Sequence, residues 1–242
     1  MATPPDDDAL RARSLHCSRA GDPVLTDVSL GVRAGEVVAV LGPRGSGKTA
    51  LLDCLSGRRL PDQGEVRFGD LAVHTLTAPQ RERLRRERFG WIGPDPALVP
   101  ELTVWENAAL PLLLRGERAG AARSRVLEWL ERLDIDALAD HRPTALTGSQ
   151  RRRTALARAL AGPPSVLFAD EPTAALHSAD AALMLRTMLA AVRSHGVTTV
   201  LATCDPAVAA LANRTVALFD GRRTDGPATA EAEGLAACSL SV

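Results

Sequence analysis

The 242-residue sequence predicts an α/β fold, a parallel β-sheet layered with helices and carrying a helical insert. Three observations predict it. Val37–Leu41 and Val166–Ala169 are short, continuous apolar runs, the pattern of strands buried on both faces of a parallel sheet. Between them, from about Arg81 to Leu160, Leu, Arg, Ala and Glu dominate at helical spacing. Strand patterns then return at 198–202 and 215–219.

The elements follow in order. Apolar–polar alternation over 24–30 reads as a strand, and Gly35-Glu36 turns the chain into the run at 37–41. Gly42 to Gly47 break that run. A helix over 48–57 then places Leu51, Leu52 and Leu55 on one side. Residues 64–69 read as a short strand bounded by turns, and helices are expected at 81–88, 104–114, 121–133 and 149–161. The arginine-rich stretch 81–88 reads as a solvated helix face. After the strand at 166–169 come a helix at 179–194, two more strands and an Asp220-Gly221 turn. The expected organisation is a tail at 1–8, one domain over 9–226 with a helical subdomain at about 95–161, and a tail at 227–242.

Composition narrows the function classes. Hydrophobic residues at 45% and charged residues at 24% exclude wholesale disorder. Lys+Arg and Asp+Glu are both 29, so the net charge of +0 argues against nucleic-acid binding through bulk charge and leaves only a local basic face open. No apolar run approaches the ~18 residues needed to cross a bilayer, and the acidic start lacks an apolar signal region. A soluble, cytoplasmic chain is therefore expected. Cys17, Cys54, Cys204 and Cys238 have no metal-ligand spacing, so they read as thiols of a reduced compartment. Tyr is absent, and Lys occurs once, at Lys48.

That lysine ends a phosphate-binding pattern. Gly42, Pro43, Arg44, Gly45, Ser46, Gly47, Lys48 and Thr49 match G-x-x-x-x-G-K-[ST], between an expected strand and an expected helix. Glycines let successive N–H groups curl around a phosphate chain, and the helix N-terminus adds the positive end of its dipole. Lys48 is placed to reach the β- and γ-phosphates, and the Thr49 hydroxyl to ligate Mg2+. A flexible ammonium suits this task better than a planar guanidinium, which accounts for a single Lys in an Arg-rich chain. Farther on, the apolar run at 166–169 ends in Asp170 and Glu171. Asp170 is placed to hold Mg2+ through its water shell, and Glu171 to orient and activate an attacking water. An acidic pair after a strand is also what a helix cap looks like, and only its combination with the cradle favours catalysis.

These residues resemble the ATP-binding subunit of an ABC transporter from about residue 9 to 223. The stretch 102–116 is similar to the branch serving lipoprotein release and macrolide export. Thr147, Gly148, Ser149 and Gln150, with Ala155–Leu160 after them, resemble the family's signature segment. The resemblance implies a P-loop NTPase with a RecA-like parallel-sheet core, a small antiparallel β region and an inserted helical subdomain. It also implies ATP and Mg2+ as cofactors, an integral-membrane permease as partner, and no nucleic acid. A second ABC ATPase subunit, identical or related, would hold each ATP between one cradle and the other subunit's signature. The chain would then sit on the cytoplasmic face of the membrane through its permease.

The departures from the family pattern are specific. The family's glutamine that touches Mg2+ and the attacking water falls at Pro94, with Asp95 beside it as a partial stand-in. The switch histidine falls at Cys204, the aspartate of the inter-subunit loop at His177, and Ser149 replaces a glycine. The aromatic that stacks on adenine would lie near residues 18–20, where Arg19 is the nearest candidate. Of Arg151, Arg152 and Arg153, the first reads as facing the partner's nucleotide and the others as solvated. The expected activity is Mg-ATP binding with slow hydrolysis driving an export-type permease. The alternative is a hydrolysis-deficient, nucleotide-gated partner of a competent ABC ATPase.

Overall fold

The computed structural model describes residues 8–174 and 176–224. The tails expected at 1–8 and 227–242 lie outside these residues, except Asp8, which opens the first strand. In chain order the elements are β1 (Asp8–Arg19), β2 (Asp22–Arg33), β3 (Val37–Leu41), α1 (Lys48–Leu55), β4 (Gln63–Phe68), β5 (Leu71–Ala72), α2 (Ala78–Arg88) and β6 (Phe89–Ile92). They continue as α3 (Val104–Leu113), α4 (Ala119–Arg132), α5 (Gly148–Ala161), β7 (Val166–Asp170) and α6 (Ser178–Ser194). The last are β8 (Thr198–Thr203), α7 (Pro206–Ala209), β9 (Arg214–Phe219) and β10 (Arg222–Thr224). Two compact units result, one running to Arg85 and resuming at Thr198, the other being Arg86–Val197.

In the first unit β3 pairs in parallel with both β8 and β9, and β10 closes back antiparallel on β9. Every residue of β3 and β8 is buried, which is why their sequences are uninterrupted apolar or Thr runs rather than alternating ones. A second, antiparallel sheet has the order β2–β1–β4–β5. Leu51, Leu52 and Leu55 of α1 are fully buried, as the helical spacing predicts. β1 escapes the sequence pattern for a local reason. Its buried residues run Leu10, Ala12, then Leu15, Cys17, because Ser14 adopts φ 42 and shifts the register by one. An alternation that slips mid-strand does not register as period two.

The arginine-rich helix α2 buries only Leu84, as a solvated helix does. It is not purely a solvated face, however. Arg81 Nε and Arg85 Nη1 both donate to the Gly57 carbonyl just beyond the end of α1, at 3.1 and 2.8 Å. Two of its cations thus serve the carbonyl end of another helix.

In the second unit β6 pairs in parallel with β7, and α3, α4 and α5 pack on one another. β6 was not expected, because Phe89-Gly90-Trp91-Ile92 is too short to show a period. Both α3 and α5 begin with a capping box. Thr103 and Glu106, and likewise Thr147 and Gln150, each bind the other's backbone N–H. The T-x-x-E and T-x-x-Q spacings carried that signal in the sequence. Hydrogen bonds from the Thr103 N–H and hydroxyl hold the Glu106 carboxyl below its ordinary pKa.

Asn107 is fully buried in α3. Its Oδ1 accepts from Val99 N–H at 2.8 Å, and its Nδ2 donates to the carbonyls of Val99, Leu102 and Thr103 at 3.0–3.1 Å. One side chain thereby satisfies the loop that enters the helix. Asn107→Ala leaves several buried backbone groups unpaired and is expected to cost about 3 kcal/mol, read as a shift in denaturant midpoint at unchanged slope.

Candidate functional site

The cradle lies between β3 and α1 and is shaped by three glycines in different ways. Gly47 stands at the N-cap of α1 with φ 97, and Gly45 has φ 84 with open space around it. Both conformations are costly for any other residue. Gly42 has ordinary φ, but a Cβ there would lie 2.1 Å from the Leu218 carbonyl oxygen and 2.6 Å from Ser46 Oγ. Gly42→Ala is therefore expected to destabilise the unit by about 3 kcal/mol, measurable as a fall in thermal midpoint. The turn after β9 secures the loop from outside. Gly221 N–H donates to the Ser46 carbonyl at 3.1 Å, and Gly221 carbonyl accepts from Thr26 N–H at 2.8 Å.

Lys48 is buried, and its ammonium donates to the carbonyls of Gly42 and Pro43, both at 2.8 Å. It is thereby held over the loop rather than extended into solvent. Ser46 is 2% exposed, and its Oγ lacks a hydrogen-bond partner. A buried hydroxyl without a partner beside a fixed ammonium and an open glycine arc fits a phosphate chain as the missing acceptor. Pro43 is half-buried, while Arg44 and Thr49 are exposed at the rim.

In the second unit β7 ends at Asp170, which is 1% exposed. Glu171 follows, half-buried and at φ 46, and its carbonyl accepts from Ala174 N–H at 3.0 Å. A non-glycine residue in the left-handed region is sparsely populated, and such strain collects at functional positions. Among the described residues no group of three or more His, Cys, Asp or Glu is placed to hold a metal ion by itself.

The segment 147–150 opens α5. Thr147 and Gln150 spend their side chains on the capping box, so their contribution outward is confined to backbone and remaining lone pairs. Gly148 has nothing within 4 Å of where a Cβ would be. Ser149 Oγ is buried without a partner. Of the three arginines that follow, Arg151 is exposed, but the reading of Arg152 and Arg153 as solvated is not met. Arg152 is half-buried, and the Arg153 side chain, 12% exposed, is fastened to Asp180 at 2.6 Å. The helix packing, which the sequence did not show, covers them.

The positions that depart from the family pattern are also resolved locally. Pro94 and Asp95 are exposed, in a turn where Asp95 Oδ1 accepts from Ala97 N–H at 3.0 Å. Arg158 pins the same turn, donating to the carbonyls of Pro96 at 2.6 Å and Ala97 at 2.9 Å. The Asp95 carboxylate is thus engaged in its own turn. His177 is exposed at the N-cap of α6 without a side-chain cap bond. Cys204 follows β8 and is disulfide-bonded, where the sequence reads a thiol; Cys17 and Cys54 are free and buried.

The family described as "ABC transporter" matches residues 25–174. The chain belongs to the ABC transporter family. Among curated ABC relatives, the macrolide export ATP-binding/permease protein MacB 1/2 of Paracoccus denitrificans is 41% identical over 210 residues, covering 85% of this chain and 31% of that protein. The chain thus spans about a third of the length of the MacB relatives it matches. The lipoprotein-releasing system ATP-binding protein LolD 1 of Rhodospirillum rubrum is 36% identical over 199 residues, covering 82% of this chain and 88% of that one. Among solved ABC structures, the ATP-binding cassette MJ0796, a dimer in a post-hydrolysis state bound to ADP and Pi, superposes with a TM-score of 0.83. That cassette is 30% identical, and the match covers 89% of this chain and 97% of it. The P-loop NTPase architecture expected from the resemblance is therefore the fold of the chain. Among the described residues no helix is long and apolar enough to cross a membrane.

Proposed function

We propose that this chain is the ATP-binding subunit of an export-type ABC transporter, binding Mg-ATP and hydrolysing it slowly to drive a membrane permease. The observation that carries hydrolysis is Glu171, held at φ 46 directly after a buried aspartate. Residues with that backbone conformation are maintained by their surroundings, and a carboxylate so placed suits a general base. In this reading the backbone of Gly42–Gly47 and the Lys48 ammonium bind the phosphate chain, while Thr49 and Asp170 hold Mg2+. Bound there, Mg2+ would supply positive charge against the phosphate chain. Glu171 accepts a proton from the attacking water. Gly148 and Ser149 offer the N-terminus of α5 to the ATP of a second subunit, either another copy or a related chain.

Slow turnover follows from the residues at the positions where the chain departs from the family pattern. Pro94 has no side-chain donor or acceptor, and its turn is pinned by Arg158. Cys204 supplies no imidazole at the switch position. Removing one donor aimed at developing charge lowers kcat by roughly 10²–10³ in other enzymes. The same two positions support the second reading, a nucleotide-gated partner subunit whose competent relative turns over ATP. The export role and a peripheral place on the cytoplasmic face of the membrane are supported by the kinship with MacB and LolD. Steady-state phosphate release with Mg-ATP, recorded beside nucleotide affinity, separates the readings. Release dependent on Glu171 supports the transport ATPase. Tight binding with no release supports the gated partner.

A further inference from the structure

Away from the cradle, the second unit holds a cavity of about 260 Å³. It is lined by residues of α4, the ends of α5 and α6, the Pro163-Pro164 link into β7, and Val197 just before β8. Its walls are mainly apolar. Trp129, Leu160, Pro164 and Val197 are buried, and Pro163 is exposed. Proline rings and an indole have few torsions to freeze, so such a wall accepts an apolar body at little entropic cost. A cavity of this size suits a molecule of one ring or one branched chain rather than a nucleotide.

The lining's polar groups are Arg125, His195 and the Trp129 indole N–H, and no acidic residue is among the lining side chains. Arg125 stands one turn before Trp129 on α4. One of its Nη atoms holds Glu117 at 3.0 Å in an exposed pair, a weak engagement for a group with five N–H donors. His195 follows α6, its ring 6.0 Å from that of Trp129. Its Nδ1 lies 2.9 Å from the Ala191 carbonyl oxygen. A carbonyl only accepts, so Nδ1 carries a hydrogen and Nε2 is the nitrogen left to meet a ligand. Arg132 lies over the same indole, 4.9 Å from its centroid, so a second cation borders the ring.

An apolar cleft edged by a guanidinium, an imidazole and an indole N–H is complementary to a ligand with an apolar body and one planar anionic end. A carboxylate meets a guanidinium through two parallel hydrogen bonds. One proton between Nε2 and a carboxyl oxygen makes the histidine bond, whichever partner brings it. A phosphate dianion would lose more hydration against the apolar wall. We propose that this cavity binds a small apolar carboxylic acid, its ring or branched chain against Trp129, Pro164 and Val197 and its carboxylate on Arg125 and His195. The site stands apart from the nucleotide reading and does not depend on it.

Titration of the full chain with 3-phenylpropanoate, followed through the ligand's NMR signals, tests this. A Kd of about 0.1–1 mM is expected for a ligand of that size. The neutral 3-phenylpropanamide, which keeps the ring and loses the charge, is expected to bind at least about tenfold more weakly. Propanoate, which keeps the charge and loses the ring, is expected to weaken by a similar factor of about ten. Arg125 and His195 are exposed, so Arg125→Gln and His195→Gln keep the fold, which an unchanged thermal midpoint verifies. Each is expected to weaken the acid by about five- to tenfold and to leave the amide within about twofold. Absence of saturable binding of the acid below about 10 mM overturns the proposal. So does an amide that binds as tightly as the acid, and so do two variants that both bind the acid as the parent does.

Discussion

Glu171→Gln is expected to lower phosphate release by about 10²–10⁴-fold while Mg-ATP affinity stays within about threefold. The substitution is nearly isosteric, so the backbone at φ 46 and the bond from Ala174 N–H persist. What is lost is proton acceptance. An amide orients a water as well as a carboxylate does but does not take its proton at neutral pH. The effect therefore falls on kcat and leaves binding through Gly42–Lys48 in place. A Gln variant that hydrolyses ATP at the parent rate removes Glu171 as the base. A parent whose release already matches the variant supports the nucleotide-gated partner instead.

Lys48→Ala is expected to weaken Mg-ATP binding by at least about 100-fold, equivalent to about 2.7 kcal/mol. The ammonium is buried and held by two carbonyls at 2.8 Å, so its charge is concentrated in a site that water screens poorly. Removing it leaves those carbonyls facing the phosphate chain and converts attraction into repulsion. Lys48→Arg is the sharper comparison. A planar fork does not fit the two converging carbonyls as a compact ammonium does, so most of the loss is expected to remain. Affinity retained in both variants, read by direct titration, contradicts the placement of phosphate in this loop.

The central elements were legible where local chemistry leaves one solution. Val37–Leu41 and Val166–Asp170 are fully buried strands, and uninterrupted apolar runs admit little else. The place of the loop from Gly42 to Thr49 between β3 and α1 was legible because its glycines break a buried strand just before a helical pattern begins. β1 was not, because the bulge at Ser14 breaks its alternation, nor was β6, which is four residues long. The environments of Arg152, Arg153 and Arg158 were hidden for another reason. Each is an arginine in an arginine-rich helix, and whether it meets solvent, Asp180 or the Pro96 carbonyl depends on chain distant in sequence.

Sequence alone therefore determined the residue types on which phosphate chemistry depends: one lysine, three glycines, and an acidic pair after a buried strand. The resemblance to the family, rather than the residues by themselves, marks Pro94 and Cys204 as departures from its pattern. Tertiary structure decided conformation and engagement. It put Glu171 in a left-handed backbone, bent Lys48 over two carbonyls, and fastened Arg153 to Asp180. The physical reason is that residue identity sets which bonds a side chain is able to make. Packing between segments far apart in the chain sets which of those bonds are already taken.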